Sequence, residues 1–158
     1  MAARSNSLEA QIQRMAELYP LIALSAQVDR EATWVGPLRP YKQPYTIRVR
    51  FRAPYAPEPL SLIEVQPRVQ VLNPILVPNQ NAEDGPLPHI YPNPQCPLLP
   101  YLCLFDPHAR EWTLSDLIAE TTIPWTERWL INYEFWQATG KWRGGGRHPS
   151  PSELVVEE

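Results

Sequence analysis

The densest run of proline in this chain excludes more folds than any other feature of it. Nine prolines fall within the 34 residues from Pro74 to Pro107. Proline offers no amide proton to a helix or a ladder, and its ring clashes with the preceding helical turn. The stretch can therefore form neither a long helix nor an inner strand, and regular structure must divide into a part before it and a part after it. Irregular connections longer than about 12 to 15 residues are uncommon in compact domains and usually have a function or are mobile. This one carries Ile75, Leu76, Val77, Ile90, Tyr91, Leu98, Leu99, Tyr101, Leu102, Leu104 and Phe105. That is too apolar for a solvated linker, so it is expected to pack down onto a sheet.

Upstream, Leu8, Ile12, Met15 and Leu18 recur at helical spacing. They predict a helix from about Ser7 to Tyr19, with Asn6 and Glu9 as a capping box and Pro20 as the stop. The segment Ala32-Thr-Trp-Val-Gly36 reads as less regular. Tyr45, Ile47, Val49 and Phe51 then alternate with Thr46, Arg48, Arg50 and Arg52, the clearest strand in the sequence. Its arginine face is expected to be the solvated side of an antiparallel sheet rather than a site for an acidic partner. A further strand is expected over Arg68–Leu72, closed by Asn73-Pro74. Downstream, Thr113 caps an expected short helix to Glu120, and Thr122 opens a longer one with Pro124 in its first turn and Gly140 at its C-terminal end. Trp125, Trp129, Tyr133 and Trp136 share one side of that helix and are read as core rather than as a cofactor box. From Arg143 onward the chain is low in apolar content and rich in glycine and proline. The expected organisation is thus α+β, a single domain over residues 1–143 and a mobile tail over 144–158.

Composition narrows the function. At 158 residues, 44% hydrophobic and 20% charged, the chain can bury one sizeable core. A net charge of −3 and a pI near 5.6 provide no basic field, so neither nucleic acid nor an anionic membrane surface is an expected partner. The N-terminus lacks the apolar core of a signal peptide and no apolar run approaches the roughly 20 residues of a membrane span, so a cytoplasmic location is expected. In that reducing compartment Cys96 and Cys103 are expected as free thiols, although their spacing also permits a bridge. His89, Cys96, Cys103 and His108 are metal-ligand types, but the six, six and four residues between them match no common zinc spacing. Gly144 to Gly146 follow a helix rather than a strand and no G-K-[ST] follows them, so no phosphate loop is expected. No cofactor is called for. Cys103, in Tyr-Leu-Cys-Leu-Phe just past the prolines, is the best candidate nucleophile. Taken from the residues alone, a buried structural cysteine is an equal alternative.

The order of these features resembles a ubiquitin-conjugating enzyme. Tyr45 to Phe51 followed by Ala53-Pro-Tyr-Ala-Pro-Glu-Pro is similar to that family's strand and proline-rich turn, and Arg68-Val-Gln-Val is similar to its next strand. Pro88-His89-Ile-Tyr91 resembles the end of the H-P-N-I-Y motif, Leu102-Cys-Leu104 the catalytic I-C-L, and Trp112 the tryptophan that follows it. The resemblance spans roughly residues 7 to 142. It departs at His89, where the family has an asparagine that supports the active-site loop and helps stabilise the oxyanion. It also departs in the 14-residue interval from His89 to Cys103, lengthened by an insertion with Cys96 and four prolines. The segment from Trp112 to Pro149 resembles more closely the bacterial ubiquitin-conjugating-like proteins of anti-phage defence operons, in the stand-alone form of short type II cyclic-oligonucleotide-based anti-phage signalling systems.

The resemblance implies an α+β ubiquitin-conjugating fold: an N-terminal helix, an antiparallel meander, a long active-site loop and C-terminal helices. It implies Cys103 as a nucleophile that carries a partner's C-terminus as a thioester and passes it to an amine. His89 is the second implied site residue, as an oxyanion donor or, preferred here, as a support of the loop. Cys96 is read as a loop thiol beside the site. The implied donor is a nucleotidyltransferase related to cyclic GMP-AMP synthase, and the implied acceptor is a lysine-bearing protein. Activation of the donor carboxyl is expected to come from elsewhere. Only Lys42 and Lys141 stand against twelve arginines, which would limit self-modification, although arginine-rich codon usage explains the count equally well. Two other readings are an inactive scaffold of the same fold, and a thioesterase-like or proteolytic cysteine enzyme, which would need a histidine presented to Cys103.

Overall fold

A computed structural model describes residues 4–54, 66–79, 85–105 and 111–142. The first helix, α1 (Leu8–Leu18), buries Leu8, Gln11 and Met15. Its cap is Ser7, whose hydroxyl accepts from the Ala10 amide at 3.1 Å, one residue beyond the expected Asn6. Asn6 is engaged elsewhere: its side-chain amide donates to the Ser115 carbonyl at 2.7 Å and its backbone amide to Leu114 at 2.8 Å. Gln11, 1% exposed, donates to the Asp116 carbonyl and accepts from the Ile118 amide, both at 2.8 Å. One buried side chain thus fastens α1 to the segment that leads into the last helix.

Four antiparallel strands follow in the order β1 (Ala23–Val28), β2 (Glu31–Leu38), β3 (Tyr45–Arg52) and β4 (Arg68–Asn73). β3 sends Tyr45, Ile47, Val49 and Phe51 into the core as its alternation predicts. β2 lies over the segment read as irregular, and its inward residues are Ala32, Trp34, Gly36 and Leu38. Only glycine fits at position 36, because a Cβ there would lie 2.4 Å from both Ile22 Cα and the Leu21 carbonyl oxygen. The chain folds back over β2 at that point, and any side chain would force the two backbones apart.

The arginine face of β3 is not wholly solvated. Arg48 donates through Nε and Nη2 to Gln70 Oε1 at 3.1 and 2.7 Å, and Gln70 Nε2 donates onward to the Leu99 carbonyl at 2.9 Å. Gln70 is 2% exposed, so the proline-rich segment packs on the sheet here, as its apolar content predicts. Burial of Arg48 lowers its pKa, the Arg50 charge adding to that effect. Further upstream, the Val77 amide donates to Tyr133 Oη at 2.8 Å, and Gln137 Nε2 donates to the Val77 carbonyl at 2.6 Å.

The helix expected over Thr113–Glu120 is replaced by a turn and a single 3-10 turn at Ile118–Glu120. Asp116 Oδ2 accepts from the Thr113 amide at 2.8 Å, and Gln11 Oε1 holds the Ile118 amide. The Ile118 amide and the Leu114 carbonyl, which a helix would join, are held instead by Gln11 Oε1 and the Asn6 amide, so the helix does not form. The last helix, α2 (Thr122–Thr139), ends as predicted at Gly140, whose left-handed φ of 74° lets its amide reach the Trp136 carbonyl at 2.8 Å. Trp34, Met15, Ile47, Val71, Ile123, Leu130 and Trp136 share one hydrophobic core. The expected tail over 144–158 lies outside the described residues, as does His108.

Candidate active site

Two short strands position Cys103. β5 (Ile90–Tyr91) and β6 (Tyr101–Leu102) pair antiparallel, Ile90 opposite Leu102 and Tyr91 opposite Tyr101. The pairing extends one step further, where the Cys103 amide donates to the His89 carbonyl at 2.9 Å. A 14-residue separation in sequence thereby becomes direct backbone contact. The proline-bearing insertion turns at the far end of this ribbon. There the Cys96 amide donates to the Asn93 carbonyl at 3.1 Å, the Leu99 amide to the Cys96 carbonyl at 2.9 Å, and Asn93 Nδ2 to the Leu99 carbonyl at 3.1 Å. Cys96 is a half-buried free thiol within electrostatic reach of Arg48. It shapes that turn and does not line the cavity at Cys103, so the expectation that it sits beside the site is corrected.

His89 holds Cys103 from its backbone. Its carbonyl also accepts from the Trp129 indole N–H at 3.0 Å, which ties the ribbon to α2. Its φ of 54° is left-handed, a conformation that asparagine and histidine both tolerate better than most residues. The imidazole packs against the Trp142 ring with centroids 4.9 Å apart, and both residues face a cavity of about 170 Å³ that Cys103 also lines.

The far wall of that cavity comes from α2. Trp125, Arg128, Trp129 and Asn132 line it at i, i+3, i+4 and i+7, one face of the helix. The tryptophan stripe therefore has two roles. Trp129, Tyr133 and Trp136 are buried in the core, while Trp125 and Trp129 also face the cavity; Trp125 meets Phe105 edge-on at 5.2 Å. Glu111 completes the charged groups at this cavity among the described residues. Cys103 itself is 5% exposed. Its Sγ is 3.4 Å from Tyr91 Oη and 3.5 Å from the Phe105 carbonyl oxygen, placed to donate to either. Tyr91 and the α2 residues were not singled out in the sequence as site residues. The Ile-Tyr pair of the motif and the helical spacing from Trp125 were the signals for them.

The chemistry available is that of a thiol between two oxygens, at the edge of an aromatic-walled cavity large enough for a short extended group. Among the described residues no cluster of three or more His, Cys, Asp or Glu could hold a metal ion, and no helix is long and apolar enough to cross a membrane. Comparison with protein families matches residues 11–149 to the family described as type II CBASS E2 protein. The chain belongs to that family. Membership makes this a ubiquitin-conjugating-like CBASS E2 protein of anti-phage defence, and its N-terminal helix, four-stranded antiparallel sheet and C-terminal helix are compatible with the fold that name implies. Comparison with curated proteins gives no match.

Proposed function

We propose that this CBASS E2 protein is a cysteine-dependent acyl carrier. The thiolate of Cys103 attacks an activated C-terminal carboxyl, so that a sulfur–carbon bond forms as the activating group leaves. The resulting thioester is then attacked by an amine: a nitrogen–carbon bond forms, the carbon–sulfur bond breaks, and the amine's surplus proton is released as the thiolate is regenerated. The donor is the C-terminus of a cyclic GMP-AMP synthase-like nucleotidyltransferase, and the acceptor is a lysine-bearing protein. The observation that carries this reading is Cys103 Sγ at the edge of a cavity, held in register by the His89 carbonyl, in a chain of this family. His89 acts here as a support: its carbonyl fixes the Cys103 backbone and its ring closes the cavity against Trp142. Intact-mass spectrometry after co-expression with the nucleotidyltransferase of the same operon tests the proposal. Wild type and Cys96→Ala are expected to carry an adduct that thiol reductant or hydroxylamine removes, and Cys103→Ala is expected to carry none. A partner bound non-covalently to all three proteins would replace the carrier with a scaffold.

A further inference from the structure

Among the contacts of the Cys103 thiol are two oxygens that respond differently when its proton is lost. The Phe105 carbonyl at 3.5 Å can only accept, so it favours the neutral thiol and opposes the lone pairs of a thiolate. The Tyr91 hydroxyl at 3.4 Å accepts from the thiol but can turn about its C–O bond and donate. Of these two oxygens, only Tyr91 can change from acceptor to donor as the sulfur ionises. The other titratable groups at the cavity among the described residues are His89 at the foot of β5, Arg128 on α2 and Glu111. We infer that Tyr91 is a further catalytic residue, the hydrogen-bond donor that stabilises the Cys103 thiolate. The thiol proton passes to solvent, the tyrosyl O–H swings onto Sγ, and the nucleophile is held in its reactive form while the carbonyl on its other side opposes it. The role deepens the carrier reading, which supplies the reaction, but its test needs no partner protein.

The test is alkylation of the full chain by iodoacetamide across pH 6 to 11, in which a sulfur–carbon bond forms and iodide leaves. Peptide mass spectrometry reads Cys103 and Cys96 separately in wild type and Tyr91→Phe. A hydrogen bond to a charged group is worth enough to move a thiol by about one pKa unit. Losing it lowers the thiolate fraction about tenfold below both pKa values. The more basic thiolate is intrinsically about threefold more nucleophilic, given a Brønsted coefficient of about 0.4–0.5. Cys103 of Tyr91→Phe is therefore expected to react about three- to fourfold more slowly than wild type at pH 7 and about threefold faster above both pKa values, with the two profiles crossing. Cys96 is expected to be unchanged. A variant that merely altered access would scale the rate by one factor at every pH, and parallel or coincident profiles would overturn the assignment. Circular dichroism melting and an unchanged Cys96 rate establish that the variant is folded. Should Tyr91→Phe fail them, Tyr91→Met, which also lacks the donor, must show the same crossing. Failure here would leave the carrier reading standing, because that reading is judged by the adduct and not by this profile.

Discussion

Replacing Gln70 by leucine should release the proline-rich turn from the sheet without opening a cavity. Gln70 accepts two hydrogen bonds from Arg48 and donates one to Leu99. The bonds to the guanidinium are charge-assisted, but Arg48 is only half-buried and can recover water, so their loss costs about 1.5–2 kcal/mol. The bond to Leu99 costs about 1 kcal/mol, at the low end because Asn93 still donates to the same carbonyl. Leucine returns about 1 kcal/mol by burying carbon where an amide had been. Gln70→Leu is therefore expected to destabilise by about 2 kcal/mol, or roughly 4–8 °C in Tm for a chain of this size. Urea unfolding should show a lower midpoint at unchanged slope. Hydrogen exchange should accelerate at the Cys96 and Leu99 amides, whose bonds close the turn, and not at Val49 in the sheet. A double-mutant cycle with Arg48→Ala should return a coupling of about 1.5 kcal/mol. A midpoint within error of wild type, or exchange that rises equally in turn and sheet, would show that the turn is held by something other than this chain of bonds.

Gly36→Ala places a Cβ 2.4 Å from Ile22 Cα and is expected to destabilise by about 3 kcal/mol in denaturant melts; a tolerated alanine would mean that the crossing of Ile22 over β2 is looser than described. Tyr45 is 2% exposed, its hydroxyl has no hydrogen-bond partner among the described residues, and burial, followed by the charge of Glu134, raises its pKa well above the ordinary tyrosine value. The folded state holds that proton more tightly than the unfolded state. Its contribution is therefore complete below about pH 10 and is lost as pH rises beyond it. Tyr45→Phe should match or exceed wild type at pH 7, by up to about 1 kcal/mol, and lose less stability above pH 10, as pH-dependent melts would report. Trp129→Phe removes the indole donor to the His89 carbonyl together with buried ring area. It should cost about 2 kcal/mol and speed exchange at the Cys103 amide; an unchanged amide would show that the ribbon does not depend on α2.

What could be read from the sequence follows from which residues act locally. β3 was legible because its four apolar side chains alternate with arginines, and α2 because proline opens it and glycine closes it. β2 was not, although Ala32, Trp34, Gly36 and Leu38 alternate inward, because alanine, glycine and proline carry little strand preference and the sheet supplies the ordering. β1 is an edge strand with all six residues exposed, so the short alternation of Leu24, Ala26 and Val28 with Ser25 and Gln27 marks no buried face. The cap of α1 moved by one residue because Asn6 is recruited by Ser115, 109 positions away, which no local pattern reports. The site shows the same division. Cys103 and His89 were legible through short motifs, whereas the cavity wall of Trp125, Arg128, Trp129 and Asn132 exists only once α2 packs against the ribbon. Cys96 shows the same limit: it is seven residues from Cys103 in sequence, yet it lies in the turn at the opposite end of the hairpin.

The carrier reading stands or falls on the atom that bears the acyl group, and Cys103→Ser changes that atom alone. Intact mass of this variant, co-expressed with the nucleotidyltransferase and measured with and without thiol reductant, is the most direct test. The account predicts an oxygen ester that survives the reductant, where the wild-type adduct does not. No adduct on the serine variant, together with an undiminished adduct on Cys103→Ala, would place the linkage on another residue and contradict the account.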